Sequence, residues 1–155
     1  MKRKILSCII ICIISFFALG ITSCSSSPEA QDDEIMLKIK LDVKEDIGLL
    51  ILDCNLDGIE TSGGVSNANK SLLKHDETLY WSFYRQEYEN VSKNTDLTIR
   101  FRVITEYCDP NYDNNYPEDL TVLLEPITFN VEFGNVYNIT ITGDNINGYV
   151  AKLDN

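Results

Sequence analysis

Asp109, Asn111 and Asp113 stand at alternate positions in the stretch 109–119, DPNYDNNYPED. Oxygen-bearing side chains at the first, third and fifth places of a loop can converge on a hard cation such as Ca2+. The pattern stops there. Asn114 occupies the place where an EF-hand loop has its glycine, and Leu120 the place of its bidentate glutamate. The same loop carries Tyr112 and Tyr116, with Tyr107 just before it. Tyrosine beside Asp and Asn combines flat apolar area with hydrogen bonding, the chemistry of loops that take sugars or proteins. Asp109, Asn111, Tyr112, Asp113 and Tyr116 therefore form a candidate binding loop, with Asp109, Asn111 and Asp113 as a calcium candidate inside it. Ordinary loop chemistry accounts for Asp, Asn and Pro equally well.

Nucleophilic and acid–base chemistry has less to work with. His75, the one histidine, sits beside Asp76 and Glu77. A hydrolase would also need a placed nucleophile or metal partners. The chain has no G-x-S-x-G and no H-E-x-x-H. With 24 acidic residues, chance alone brings some carboxylates into pairs, so a glycosidase-like couple argues nothing. The aromatic run Tyr80-Trp81-Ser82-Phe83-Tyr84 alternates, which points Trp81 and Phe83 into a core.

The five cysteines divide by position. Cys8 and Cys12 lie in an apolar run, residues 5–21, behind the basic head Met1-Lys2-Arg3-Lys4. A basic head, an apolar stretch and a small-residue exit are the parts of a secretory signal. Ile21-Thr22-Ser23-Cys24 resembles the lipobox of bacterial lipoproteins. That resemblance implies a diacylglycerol on the Cys24 thiol, cleavage just before it and acylation of the new amino group. Acyl chains at about 0.8 kcal/mol per buried CH2 make such anchoring effectively permanent. Ser25, rather than aspartate, follows the cysteine, which by the same resemblance implies the outer membrane. Residues 25–34 are small, polar and acidic and read as a flexible tether. Within them Gln31-Asp32-Asp33-Glu34 resembles the acidic export signal of surface lipoproteins in Bacteroidota, although it starts seven residues after Cys24. Both the periplasmic face and the cell surface stay open.

The expected organisation is a signal peptide at 1–23, a tether at 24–34 and a domain at 35–155. Loss of Lys2, Arg3 and Lys4 with the leader takes the net charge from −11 to −14. Such a surface repels nucleic acid and anionic headgroups and keeps a tethered domain in solution. Two cysteines remain, Cys54 and Cys108, in a compartment that permits disulfides. A bridge closing a loop of about 55 residues would add roughly 4 kcal/mol, and two separate thiols are the alternative.

Alternation predicts strands over residues 34–43, 78–88, 97–107, 120–124, 127–133, 136–142 and 149–153. Residues 48–52 read as a strand buried on both faces, and 56–70 as a long loop with room for a short edge strand. Pro126 interrupts one ladder, and Gly134-Asn135 suits a two-residue hairpin turn. The expected fold is all-β: a single Ig-like or transthyretin-like antiparallel β-sandwich of about seven or eight strands, with a small closed barrel as the runner-up.

The ending Val131-Glu132-Phe133-Gly134-Asn135-Val136-Tyr137-Asn138-Ile139-Thr140-Ile141 resembles the last hairpin of fimbrillin-like β-sandwich lipoproteins of Bacteroidota. Polymerising members are cleaved after an arginine in their N-terminal part, whereas the first arginine after Cys24 is Arg85. The resemblance therefore argues against a stalk subunit and leaves an accessory or anchor component of a fimbria-like assembly as an alternative function. The functional expectation is a lipid-anchored, non-enzymatic cell-envelope protein. It needs no cofactor and is held to the membrane through Cys24, with envelope proteins or glycans as partners and no nucleic acid. A small hydrolase or glycan-processing accessory is the alternative.

Overall fold

The computed structural model describes residues 29–109 and 116–154. Cys24, with the leader and the first part of the tether, lies outside the described residues, as do Asn111, Tyr112 and Asp113. The described chain forms nine strands: β1 (Glu34–Val43), β2 (Leu49–Leu56), β3 (Ile59–Val65), β4 (Thr78–Tyr84), β5 (Asn94–Ile104), β6 (Thr121–Leu123), β7 (Ile127–Glu132), β8 (Val136–Asp144) and β9 (Gly148–Leu153). Its only helical turns are two short 3-10 segments, Arg85–Glu87 and Glu118–Leu120. Among the described residues no helix is long and apolar enough to cross a membrane.

Two sheets face each other. The first has the order β4-β1-β8-β9, and the second the order β3-β2-β5 with β6 and β7 both on the far side of β5. The fold is thus the expected sandwich, with nine strands rather than seven or eight. In β1, Ile35, Leu37, Ile39 and Leu41 are wholly buried, as period-two alternation requires. They meet Leu50, Leu52 and Leu56 of β2 and Leu97, Ile99, Phe101 and Val103 of β5 in one continuous core. Ile139 and Ile141 of β8 join it.

One sequence expectation is sharpened and two are corrected. Residues 56–70 hold the short edge strand for which the sequence left room: β2 runs on to Leu56 and turns back through Asp57 and Gly58, both at positive φ, into β3 at the edge of the second sheet. The Asp-Gly pair supplies that tight hairpin. Gly134-Asn135 does not close a hairpin. β7 pairs with β5 in one sheet and β8 with β1 in the other, so the turn carries the chain across the sandwich. The β1–β8 pairing is moreover parallel, from Met36 opposite Val136 to Val43 opposite Gly143. Parallel partners lie far apart in the chain and leave no turn between them to read. Between β3 and β4, Leu73 makes a lone bridge to Ile47.

Pro126 acts as expected. β7 pairs with β5 over Asn94 to Ile99 and β6 over Arg102 to Ile104; the Leu124 N–H still donates to the Phe101 carbonyl at 3.0 Å, so the gap lies opposite Arg100. β6 and β7 are one strand line broken by a residue that has no N–H to donate.

Trp81 spans the open side of the sandwich. Its strand, β4, is an edge of the first sheet, and β3 is an edge of the second. A Cβ on Gly63 of β3 would stand 2.2 Å from Trp81 Cη2. Glycine at that inward position makes the room that the indole fills. Gly63→Ala is expected to cost about 1–3 kcal/mol in urea unfolding, with most of the cost gone in a Trp81→Leu background. Equal costs in both backgrounds would show that the indole contact is not the cause.

Candidate functional site

Strand alternation gives the second sheet an outer face, and that face is built in two parts. In the first part Leu49 and Ile51 of β2 and Ile104 of β5 point outward, yet are buried at 0%, 1% and 0% exposure. Cys108, Tyr116 and Leu120, from the described ends of the crossing between β5 and β6, pack against them in a second, smaller apolar cluster. This is why residues 49–52 read as buried on both faces. The crossing starts close in, since a Cβ on Gly48 would stand 1.9 Å from the Glu106 carbonyl oxygen. Its two ends are tied together by Thr105, whose N–H donates to the Leu120 carbonyl at 2.9 Å.

In the second part the face is open. A groove of about 510 Å3 is lined by Asp53, Asn55, Glu60, Ser62, Thr98, Arg100 and Pro126. The register arranges the polar groups in rows across three strands. Ser62, Asp53 and Arg100 are neighbours in one row, and Glu60, Asn55 and Thr98 in the next. Thr98 Oγ1 meets Thr128 Oγ1 of β7 at 2.9 Å and extends the second row. Asp53 is fixed from two sides: Ser62 Oγ donates to it at 2.7 Å and Arg102 at 2.8 Å. Arg100 is exposed and enters no ion pair among the described residues. The Pro126 gap lies opposite it, so no strand neighbour covers that side. The groove therefore offers carboxylate and amide acceptors, hydroxyls and one guanidinium to a polar ligand.

Of the candidate binding loop, Asp109 and Tyr116 are described. Tyr116 packs into the smaller apolar cluster rather than standing out as a binding aromatic. The Asp109 carboxylate pairs with Lys70 at 2.9 Å and accepts from Tyr107 Oη at 3.0 Å. The Lys70 hydrogen bond holds its pKa below the ordinary carboxylate value. This first oxygen of the calcium pattern thus already carries a counter-charge. Asn111 and Asp113 lie outside the described residues. Among the described residues no group of three or more His, Cys, Asp and Glu side chains is placed to hold a metal ion.

Of the two alternatives open for Cys54 and Cys108, a bridge or two separate thiols, the structure has the separate thiols. Cys54 belongs to the main core between the sheets, and Cys108 to the cluster on the outer face of the second sheet. The sheet itself separates them. Burial, with the nearby Asp53 charge, pushes the Cys54 thiol up to about 12, far from a working nucleophile.

The groove residues were legible only in part. Asp53 and Asn55, like Thr98, Arg100 and Arg102, stand at the polar positions of alternating strands. Their assembly needed β3, an edge strand for which the sequence left room within 56–70 without placing it.

His75 and Asp76 do not line this groove. Asp46 accepts from the His75 N–H at 2.9 Å and from Lys74 Nζ at 2.7 Å, and it meets His75 Nδ1 at 2.9 Å. The cluster ties the segment before β4 to the end of β1. The Lys74 ammonium first, and His75 next, hold the Asp46 carboxyl well below its ordinary value. A depressed folded-state pKa contributes stability that is present above the unfolded value near 3.9 and is lost as pH falls through the folded pKa. Carboxyl 13C NMR is expected to place the Asp46 midpoint below those of unpaired aspartates. Lys74→Met should move it back toward them, and a midpoint unmoved by that change would refute the assignment.

No family model matches the chain, and no curated protein matches it in sequence. Among solved structures it is similar to a disulfide-locked mutant of intermedilysin with human CD59, at 13% identity and a TM-score of 0.39. That match covers 78% of this chain and 24% of the other. A non-hemolytic pneumolysin from Streptococcus pneumoniae strain ST306 gives 14% identity and a TM-score of 0.38, over 79% and 24% of the two chains. The chain thus spans about a quarter of the length of these two proteins. The membrane-binding domain of pneumolysin gives 11% identity and a TM-score of 0.33, over 79% of this chain and 96% of that one. Likenesses at this level say nothing of function.

Proposed function

We propose that the protein is a lipid-anchored, non-enzymatic binding protein of the outer membrane, held by acyl chains on Cys24. Its domain takes a hydroxyl-rich, glycan-type ligand in the groove of the second sheet. The observation that supports this reading is the set of groups converging on that groove: Asp53, Asn55, Glu60, Ser62, Thr98 and Arg100. These are groups that pair with sugar hydroxyls. Asp53 and the Thr98–Thr128 pair are also held in place before any ligand arrives.

The anchor and the groove are tested separately. Cys24→Ala is expected to release the chain from membranes on alkaline washing, and retention after that wash would sink the lipid anchor. For the groove, the full-length chain in detergent micelles is screened against neutral oligosaccharides on an array. A bound oligosaccharide is expected to bind about tenfold more weakly to Arg100→Ala, since a hydrogen bond from a charged group is worth about 1.5–3 kcal/mol. An empty array, or a bound sugar indifferent to both Arg100→Ala and Asn55→Ala, would remove the groove from consideration.

A further inference from the structure

The outer face of the first sheet carries a feature that the groove does not use. β1 presents Lys38 and Lys40 outward, at alternate positions about 7 Å apart along the strand. Lys40 stands in register with Thr140 of β8, and Thr140 with Lys152 of β9. Two strand spacings put the Cα atoms of Lys40 and Lys152 about 10 Å apart. Lys38 lies between Tyr80 of β4 and Asn138 of β8. Tyr80 is 40% exposed and Tyr84, further along the same edge strand, 39%.

The charge distribution makes this face unusual. Downstream of Cys24 the chain has ten cationic side chains, and Lys44, Lys70, Lys74, Lys93 and Arg102 are spent in ion pairs. Arg85 donates to the Val91 carbonyl and lies over the Phe133 ring. Of the remaining four, Arg100 lies in the groove of the other sheet, while Lys38, Lys40 and Lys152 enter no ion pair among the described residues and all three stand on this one face. Asp42 and Asp154 flank them. Asp42 follows Lys40 outward along β1, and Asp154 accepts from Thr140 Oγ1 at 2.9 Å. A domain of net charge −14 that keeps three unpaired lysines together leaves them available to an external anion.

We propose that this face binds an acidic polysaccharide, a chain whose sugars carry carboxylate or sulfate groups. The two rows Tyr80-Lys38-Asn138 and Thr78-Lys40-Thr140-Lys152 give such a chain what it needs. Lysines meet its charges, Tyr80 offers a flat ring to a sugar face, and Asn138 and Thr140 meet hydroxyls. A thin polymer lying along these rows contacts the lysines and avoids most of the acidic surface. A charged bilayer is a plane and would meet the flanking Asp42 and Asp154 and, within a Debye length, much of the remaining negative charge. This surface is separate from the groove, so the two can fail independently.

The test is affinity electrophoresis of the full-length chain in nonionic detergent, in gels containing polygalacturonate, heparin or uncharged dextran. Retardation is expected with polygalacturonate or heparin and absent with dextran, and it should weaken as salt rises. The triple change Lys38→Ala, Lys40→Ala and Lys152→Ala is expected to weaken retention about tenfold, whereas Lys93→Ala, which removes a cation outside both surfaces, leaves it unchanged. Retardation equal in dextran, or unchanged in the triple variant at an unchanged far-UV CD spectrum, would overturn the proposal. A lysine-dependent shift given by phosphatidylglycerol-doped micelles but by neither polyanion would overturn it in favour of a lipid headgroup. Lysine-dependent self-association without any polyanion would do so in favour of a second copy.

Discussion

The apolar face of β1 is the constraint on which the rest of the molecule depends. Ile35, Leu37, Ile39 and Leu41 are wholly buried, and the strand that carries them is paired on both sides, antiparallel to β4 and parallel to β8. Burying each such side chain is worth about 1.5–3 kcal/mol. That burial is reached only when the opposite sheet closes over the strand. With β1 in place the chain downstream has few choices. β8 must run alongside it, β9 must fold back on β8, and the turn after β7 must cross from one sheet to the other.

The same closure determines what the outer faces present. The second sheet turns three aliphatic side chains outward, and the segment after β5 is laid over them. Covering one part of the face leaves the other as a groove. Its polar rows are neighbours only because β3, β2 and β5 pair in a fixed register. The Pro126 break then leaves Arg100 without a strand neighbour on its far side. On the first sheet Glu34, Met36 and Asp144 are buried at the ends of the outer face, while Lys40 and Lys152 between them are exposed.

Charge follows the same logic. Half of the ten cations downstream of Cys24 are drawn into pairs with nearby acids, among them Lys74 with Asp46, Lys70 with Asp109 and Arg102 with Asp53. Such surface pairs contribute little to stability. Their consequence here is to concentrate the unpaired lysines on one face of a strongly acidic domain. Net charge predicts repulsion of anions over long range, and only the arrangement of the strands produces a local exception.

Much was legible in the chain itself. Period-two alternation marked β1, β4, β5, β7 and β8 and named their buried residues, because a strand between core and water must alternate. Trp81 and Phe83 were read as core side chains, and the first packs against the core while the second lies within it. Pro126 announced its own break in the ladder. Other matters are not written in any local pattern. Cys54 and Cys108 lie on opposite sides of one sheet, and no spacing says so. β7 and β8 carry a fine hairpin signature yet belong to different sheets, since a turn states that the chain reverses and not what it then pairs with. The parallel partnership of β1 and β8, the assembly of Asp53, Asn55, Thr98 and Arg100 into a groove and the gathering of Lys38, Lys40 and Lys152 all join residues distant in sequence. Composition and periodicity determine which face of each strand is apolar. Which strands become neighbours is decided by the packing of the two sheets against each other, and the functional surfaces lie on the sides left over.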